Sequence, residues 1–411
     1  MNLYLFNDND SAAVYGIGTY LHELTHALKG TSIIVRIVHL RSVRAKFEIV
    51  KTDHFENWYI PEVRYENTSV DAIQEIEDYF HNVVYILRLY IKDTKDLIFQ
   101  FNYVNCQLLA KELKAAFDCK TVVIVHYTKW HLELQGNLQR LHSIKEKSEK
   151  HRNSFEQIMY TVDEYEGALY KEVDRVVALS QHMKNILEDK YQLDQGKISV
   201  ISNGLKDITS NKVNDREVLR RKWCISDNEF VILFVGRLHS VKGLIFLIRA
   251  FRKLLEEFPD CRLIIAGNGN YDEYLQEAKD ICMKLSFTGL LEKKELYELY
   301  QIANLGVVPS LYEPFGYVAV EMMMHELPIV ATVTSGLSEV VDDTCGLKVP
   351  VMEFPDNVEI DTTLLAQKIL YILTNPAEAR EMGQNGRKRY LKEYTSEVFR
   401  RNMLQLYESL Y

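Results

Sequence analysis

The sequence predicts an α/β chain made of two doubly wound halves. Three observations carry this. Short, fully apolar runs alternate with helical segments, as in parallel sheets covered on both faces. Glycine-bearing loops follow the C-terminal ends of those runs. The pattern occurs twice, on either side of the polar, strand-free stretch 202–214.

In the first half, 3–6 reads as a strand and 18–28 as a helix. Strands follow at 32–40, 97–101, 121–126, 174–179 and 197–201, with long polar helices over 69–91 and 131–171. The second half is more regular. Strand 230–235 leads through Gly236-Arg237 into a helix over 243–257. Strand 261–266, helix 272–282, strand 284–287, helix 293–302, strand 305–308 and helix 316–326 follow, then strands 328–331 and 346–349. A last helix, 395–411, lies beyond the final strand. The expected domains are 1–203, 204–390 and a closing helical segment, 391–411.

Composition narrows the function classes. The 411 residues carry a net charge of −9, shared nearly evenly by the two halves, so no global basic footprint for nucleic acid exists. No apolar stretch is long enough to cross a bilayer. The opening MNLYLFNDND has too short an apolar run for a signal peptide and no basic residues before it. Six scattered cysteines without a C-x-x-C pair read as reduced thiols, and the expected location is cytoplasmic. The run 140–152 carries five Lys/Arg against two Glu. It is either a peripheral contact for an anionic membrane face or acceptor, or a solvated helix face.

His22-Glu23-Leu24-Thr25-His26 matches H-E-x-x-H, the two-histidine face of a zinc protease helix. Position 29 is Lys, so the G-x-x-H extension is missing, and the segment follows the first strand of an α/β pattern. A helix with two polar-face histidines is the plainer reading. Tyr15-Gly16-Ile17-Gly18 forms a tight turn between that strand and that helix, where free N–H groups favour an anion, or it is a turn without a ligand. Leu21 stands where a G-x-G-x-x-G fingerprint needs its third glycine, which disfavours a nicotinamide enzyme.

A set of loops in the second half is more specific. Gly236-Arg237-Leu238 ends a strand, and Lys242-Gly243 follows six residues after Gly236. Two cations on one loop at a strand C-terminus suit a diphosphate, or the loop is a solvated basic turn. Glu313-Pro314-Phe315-Gly316-Tyr317 comes next, with Glu321 eight residues after Glu313. Pro314 starts or breaks the helix, leaving Glu313 in the loop and Glu321 inside the helix. The N–H groups of Phe315–Val318 then face an anion, flanked by carboxylates that accept from sugar or ribose hydroxyls; either glutamate taken alone is otherwise a solvated acid.

Together these residues resemble retaining nucleotide-sugar glycosyltransferases of the two-Rossmann (GT-B) type, the large glycosyltransferase family 4/group 1. Gly236-Arg237-Leu238, Lys242-Gly243, Gly267-Asn268-Gly269, Phe287-Thr288-Gly289 and Glu313-Pro314-Phe315-Gly316 with Glu321 stand in the family's order. Glu313/Glu321 is similar to its E-x7-E motif, and Gly336 and Glu339 to its following G-x-x-E. Gly16-Ile17-Gly18 resembles its glycine loop and His126 its site histidine; Ile17 between the glycines and Tyr127 after His126 depart from the usual pattern.

The resemblance implies two Rossmann-like domains facing across a cleft and a closing helix that crosses back to the first. It implies Arg237 and Lys242 on the donor diphosphate, Glu321 on the ribose, Glu313 on the sugar, and His126 near the sugar's 6-position. Gly16, Gly18, Gly236, Gly267 and the stretch Phe315, Gly316, Tyr317 and Val318 would complete the donor site. Glu313, His126, Arg237 and Lys242 would carry the catalysis. The implied co-substrate is a UDP- or GDP-sugar, with no further cofactor and no metal, and the implied acceptor is a glycan, lipid-linked or peptide hydroxyl. The competing readings are a sugar-nucleotide binding protein without catalysis, which would not need Glu313 and Glu321, and the zinc protease.

Overall fold

The computed structural model describes residues 1–8, 16–63, 72–209 and 215–411. Tyr15, the start of the expected helix 69–91 and the end of the linker 202–214 lie outside them. The chain divides into two compact units. One comprises Met1–Lys129, Ile144–Gly204 and Ser396–Tyr411; the other comprises Trp130–Ser143 and Leu205–Thr395. The unit boundary at Gly204/Leu205 lies beside the expected one at 203/204, but 130–143 is grouped with the second half.

The first unit holds β1 (Asn2–Asp8), α1 (Gly16–Ala27), β2 (Ile34–Ser42), β3 (Glu48–Lys51), β4 (Phe55–Pro61), α2 (Ala72–Tyr90), β5 (Leu97–Phe101), α3 (Gln107–Ala116) and β6 (Cys119–Val125). After α4 (Lys129–Glu133) and α5 (Leu138–Glu146) come α6 (Ser154–Glu172), β7 (Arg175–Ala178), α7 (Gln181–Tyr191) and β8 (Ile198–Val200). The sheet order is β3-β4-β2-β1-β5-β6-β7-β8. All pairings are parallel except β3–β4. Residues Leu3–Phe6 and Leu97–Phe101 are buried on both faces, which is why they read as continuous apolar runs.

The second unit contains α8 (Arg216–Lys222), β9 (Phe230–Val235), α9 (Leu244–Glu257), β10 (Cys261–Ala266), α10 (Asp272–Glu277), β11 (Leu285–Gly289), α11 (Lys293–Ile302), β12 (Leu305–Val308) and α12 (Tyr317–Met324). It continues with β13 (Ile329–Val333), α13 (Leu337–Val340), β14 (Gly346–Glu353), β15 (Val358–Ile360), α14 (Thr362–Thr374) and α15 (Pro376–Glu393). Its sheet runs β11-β10-β9-β12-β13-β14-β15, with only β15 antiparallel. The strand order reverses at β9, which has β10 on one side and β12 on the other. The crevice at such a switch point, outside the strand C-termini, is where an open α/β sheet binds ligands. The loops after β9 and β12 are those that carry Arg237, Lys242 and Glu313.

The last helix, α16 (Ser396–Glu408), is part of the first unit. Phe399 packs edge-on against Tyr20, with ring centroids 5.6 Å apart. The Tyr407 hydroxyl donates to Gln100 Oε1 at 2.6 Å.

Several elements differ from expectation. The helical region over 131–171 is interrupted. Gln135 and Gly136 take positive φ (55° and 84°), ending α4, and Asn153 opens α6 with a capping box. The short strands β3, β4 and β15 were not predicted. The expected strand at 346–349 is extended to Glu353 by its pairing with β15.

Candidate active site

In the second unit the glycine turns at the sheet edge are joined by backbone hydrogen bonds. Gly236 N donates to Ala266 O at 2.9 Å, Gly267 N to Gly289 O at 2.9 Å, and Leu238 N to Asn268 O at 2.8 Å. A Cβ on Gly267 would lie 1.8 Å from the Gly236 carbonyl oxygen, so only glycine lets these two turns approach. Arg237 projects from this edge and is exposed.

Lys242 closes a 3₁₀ turn over Ser240–Lys242. The following Gly243 has φ +67°, and a Cβ there would lie 1.8 Å from the Pro309 carbonyl oxygen. Leu311 N donates to Val241 O at 2.8 Å. The loops after β9 and β12 are thereby in contact, and Lys242 Nζ meets Glu313 Oε2 at 2.5 Å. Residues 71 apart in sequence form one ion pair that is largely shielded from solvent, at 21% and 15% side-chain exposure.

Further contacts hold the Glu313 loop. Thr332 Oγ1 donates to Ser310 O at 2.5 Å and Thr334 Oγ1 to Leu311 O at 2.8 Å; both threonines are buried. Leu337 N donates to Glu313 O at 3.2 Å. Tyr312 stacks on His131 at 4.9 Å, and Asn137 Nδ2 donates to Phe354 O at 2.7 Å. Sequence reasoning missed all of these. Threonines within or just after an apolar run read as ordinary strand residues, and nothing local assigns 130–143 to the second unit.

Gly316 caps α12 in the left-handed conformation, at φ +99°. The helix therefore starts at Tyr317, and the first-turn amides belong to Tyr317, Val318 and Ala319 rather than to Phe315–Val318. Phe315 lies outside the helix and is 3% exposed, edge-on to Tyr317 and Tyr394. Glu321 lies within α12, as expected, but the residue is buried and its carboxylate accepts from the Tyr300 hydroxyl at 2.8 Å.

In the first unit, Gly16 and Gly18 are not a turn ahead of a helix. They form the first turn of α1, whose phase is set by buried Tyr20, Leu21, Leu24 and Ala27. His126 directly follows β6, and its ring meets Tyr20 edge-on at 4.6 Å. The Tyr20 contact thus brings His126 to the helix that begins with the two glycines. His126 Nε2 is buried with no hydrogen-bond partner among the described residues. Burial pushes its pKa down to about 3, so the imidazole is neutral at physiological pH.

The H-E-x-x-H histidines are exposed with rings 4.1 Å apart, and His26 Nδ1 is 2.8 Å from His22 O. Glu23 is instead buried, accepting from Ser396 Oγ at 2.8 Å. Among the described residues no group of three His, Cys, Asp or Glu could hold a metal ion. The 140–152 run spends much of its charge internally. Lys145 pairs with Asp163 at 2.8 Å, Lys147 with Glu156 at 2.5 Å, and Arg140 donates to Asp356 O at 3.0 Å. Among the described residues no helix is long and apolar enough to cross a membrane.

A family model described as glycosyl transferases group 1 matches residues 215–389, and one described as glycosyltransferase family 4 matches 14–207. The chain belongs to the group 1/family 4 glycosyltransferases. Similar to it is an uncharacterized glycosyltransferase, MJ1607, of Methanocaldococcus jannaschii. The two are 36% identical over 180 residues, 41% of this chain and 44% of that one. The chain spans about two fifths of the length of the first curated relatives it matches. Sucrose-phosphate synthase from Thermosynechococcus elongatus has a similar fold, with TM-score 0.76, 22% identity and coverage of 100% of this chain and 98% of that one. So does Anabaena Alr3699/HepE, solved in complex with UDP-glucose, with TM-score 0.73, 16% identity and full coverage of both chains. The two glutamates of the Glu313/Glu321 spacing thus meet different partners, Glu313 the Lys242 ammonium and Glu321 the Tyr300 hydroxyl.

Proposed function

We propose that this chain transfers a sugar from a nucleoside-diphosphate sugar to a hydroxyl of a glycan, lipid-linked or peptide acceptor, with retention at the anomeric carbon and without a divalent metal. The observation that carries the reading is the grouping of Arg237, Lys242, Glu313 and the α12 N-terminus on the loops after β9 and β12. UDP-glucose in the similarly folded HepE supports a nucleotide sugar as donor.

In this reading Arg237, Lys242 and the α12 amides neutralise the charge that develops on the departing diphosphate. Glu321 accepts from the ribose hydroxyls and Glu313 from the sugar. The bond from the anomeric carbon to the diphosphate breaks on the face where the acceptor oxygen arrives, and the acceptor's proton passes to the departing phosphate oxygen. Neutral His126 offers a sugar hydroxyl a hydrogen-bond partner and acts as no base.

Thermal-shift screening of UDP-, GDP- and ADP-sugars tests the reading. A donor at 100 times its Kd is expected to stabilise the protein by about 2.7 kcal/mol. No shift with any of them counts against it. Arg237→Ala and Lys242→Ala are each expected to weaken nucleoside-diphosphate binding roughly tenfold or more, since a hydrogen bond to a charged group contributes about 1.5–3 kcal/mol. Unchanged affinity in both would remove the diphosphate assignment.

The product is expected to keep the donor's α configuration. An inverting enzyme needs a base on the face opposite the leaving group. His126→Ala is expected to slow transfer without changing the anomer. NMR of the product linkage decides this; a β-linked product from an α-linked donor would show inversion and make His126 the first candidate base.

A further inference from the structure

Tyr300, on α11, is 1% exposed, and its hydroxyl donates to Glu321 Oε2 at 2.8 Å. The rings of Tyr297 and Tyr300 both lie against His325, with centroids 5.4 and 5.1 Å away. His325 Nδ1 is 2.8 Å from the Glu321 carbonyl oxygen, and because that oxygen only accepts, Nδ1 carries the proton. The side chain and the backbone of Glu321 are thus each held by one member of an aromatic stack. The helix that carries Tyr300 is itself anchored, with Glu298 paired to Lys222 of α8 at 2.6 Å. Burial, followed by the Glu321 charge, pushes the Tyr300 pKa well above its ordinary value, so the phenol remains a donor at working pH.

We infer that Tyr300 is a positioning residue for donor recognition: its hydroxyl, oriented by the stack on His325, sets the plane of the Glu321 carboxylate that accepts from the two ribose hydroxyls. This rests on the ribose role proposed for Glu321. The chemistry supports it. A carboxylate grips a vicinal diol with both oxygens only when its plane faces the diol, and a free carboxylate rotates about its last bond. A bond to one oxygen from a rigid, buried phenol removes that rotation before the nucleotide arrives, so less ordering is needed on binding.

A structural role predicts something else. If Tyr300 only satisfies a buried acid, Tyr300→Phe lowers stability and leaves ribose recognition untouched. The probes are UDP and GDP, each compared with its 2′-deoxy and 3′-deoxy forms by calorimetry on the full chain. Wild-type protein is expected to favour the ribonucleotide about tenfold or more. Tyr300→Phe keeps the ring and its stack and removes one oxygen. Its ribo/deoxy preference is expected to fall to about threefold or less, with affinity for the deoxy forms within about twofold of wild type. For transfer, KM for the nucleotide sugar is expected to rise while kcat changes little. In a Glu321→Ala background, Tyr300→Phe is expected to change the preference no further. That double variant reads the coupling even if the single substitution lowers stability.

A wild-type preference that survives intact in folded Tyr300→Phe overturns the positioning role and leaves the ribose reading standing. Wild-type protein that binds ribo and deoxy forms equally overturns both. A further drop in the double variant beyond Glu321→Ala shows that Tyr300 acts independently of Glu321 and overturns the proposal.

Discussion

Glu313→Ala is expected to lower kcat on the order of a hundredfold while sugar-free nucleoside diphosphate binds as well as to wild type, or more tightly. The first part follows from the proposed contact between Glu313 and the sugar, an interaction that strengthens as charge develops at the anomeric carbon. The second follows from the ion pair. Lys242 Nζ lies on Glu313 Oε2, so removing the carboxylate frees the ammonium for the diphosphate. Glu321→Ala is expected to do the reverse. It removes the acceptor for the ribose, and binding of the nucleotide itself weakens about tenfold or more. Calorimetry with nucleotide and nucleotide sugar, alongside single-turnover kinetics, separates the two. Equal losses of nucleotide affinity in both variants would refute the division of roles.

Gly243→Ala is expected to destabilise the second unit by roughly 2–5 kcal/mol, from left-handed backbone strain and a forced shift of its neighbours. The added Cβ falls 1.8 Å from the Pro309 carbonyl oxygen, a backbone atom that cannot turn aside. Relief requires the loops after β9 and β12 to separate, which moves Lys242 away from the α12 N-terminus, so the groups proposed to hold the diphosphate no longer converge. Donor binding is therefore expected to fall together with stability. Gly30→Ala is the control: it shares the positive φ (+76°), but among the described residues nothing lies within 4 Å of its Cβ. Differential scanning calorimetry is expected to show a drop of several degrees for Gly243→Ala and a smaller one for Gly30→Ala. Equal shifts would mean the two loops are not held as close as described.

The two parallel sheets and their helices were legible because buried parallel strands must be apolar on both faces. Runs such as Phe230–Val235 and Val122–Val125 therefore stand out in one dimension. The edge strands were not legible. β3 and β15 are short and carry charged residues, so their strand character comes from pairing with β4 and β14. The start of α12 was legible only to within about two residues, because the left-handed cap at Gly316 is a backbone choice that the Pro-Phe-Gly string permits but does not require.

The residue types of the candidate site were all present in the sequence: two cations on a turn after one strand, and two carboxylates on either side of a proline break after another. Their order along the chain pointed to a switch-point crevice. Which carboxylate meets which partner was decided in three dimensions. Lys242 reaches Glu313 only because β9 and β12, distant in sequence, are neighbours across the strand reversal and Gly243 lets their loops touch. Glu321 meets Tyr300 only because the fold brings the Tyr297 and Tyr300 rings of α11 against His325 at the end of α12. The sequence by itself determined which chemistry is available and on which sheet edge, since burial and turn formation are local demands on residue type. Only the tertiary structure decided the pairing, since an ion pair or hydrogen bond between residues 21 or 71 positions apart depends on distances that no local preference encodes.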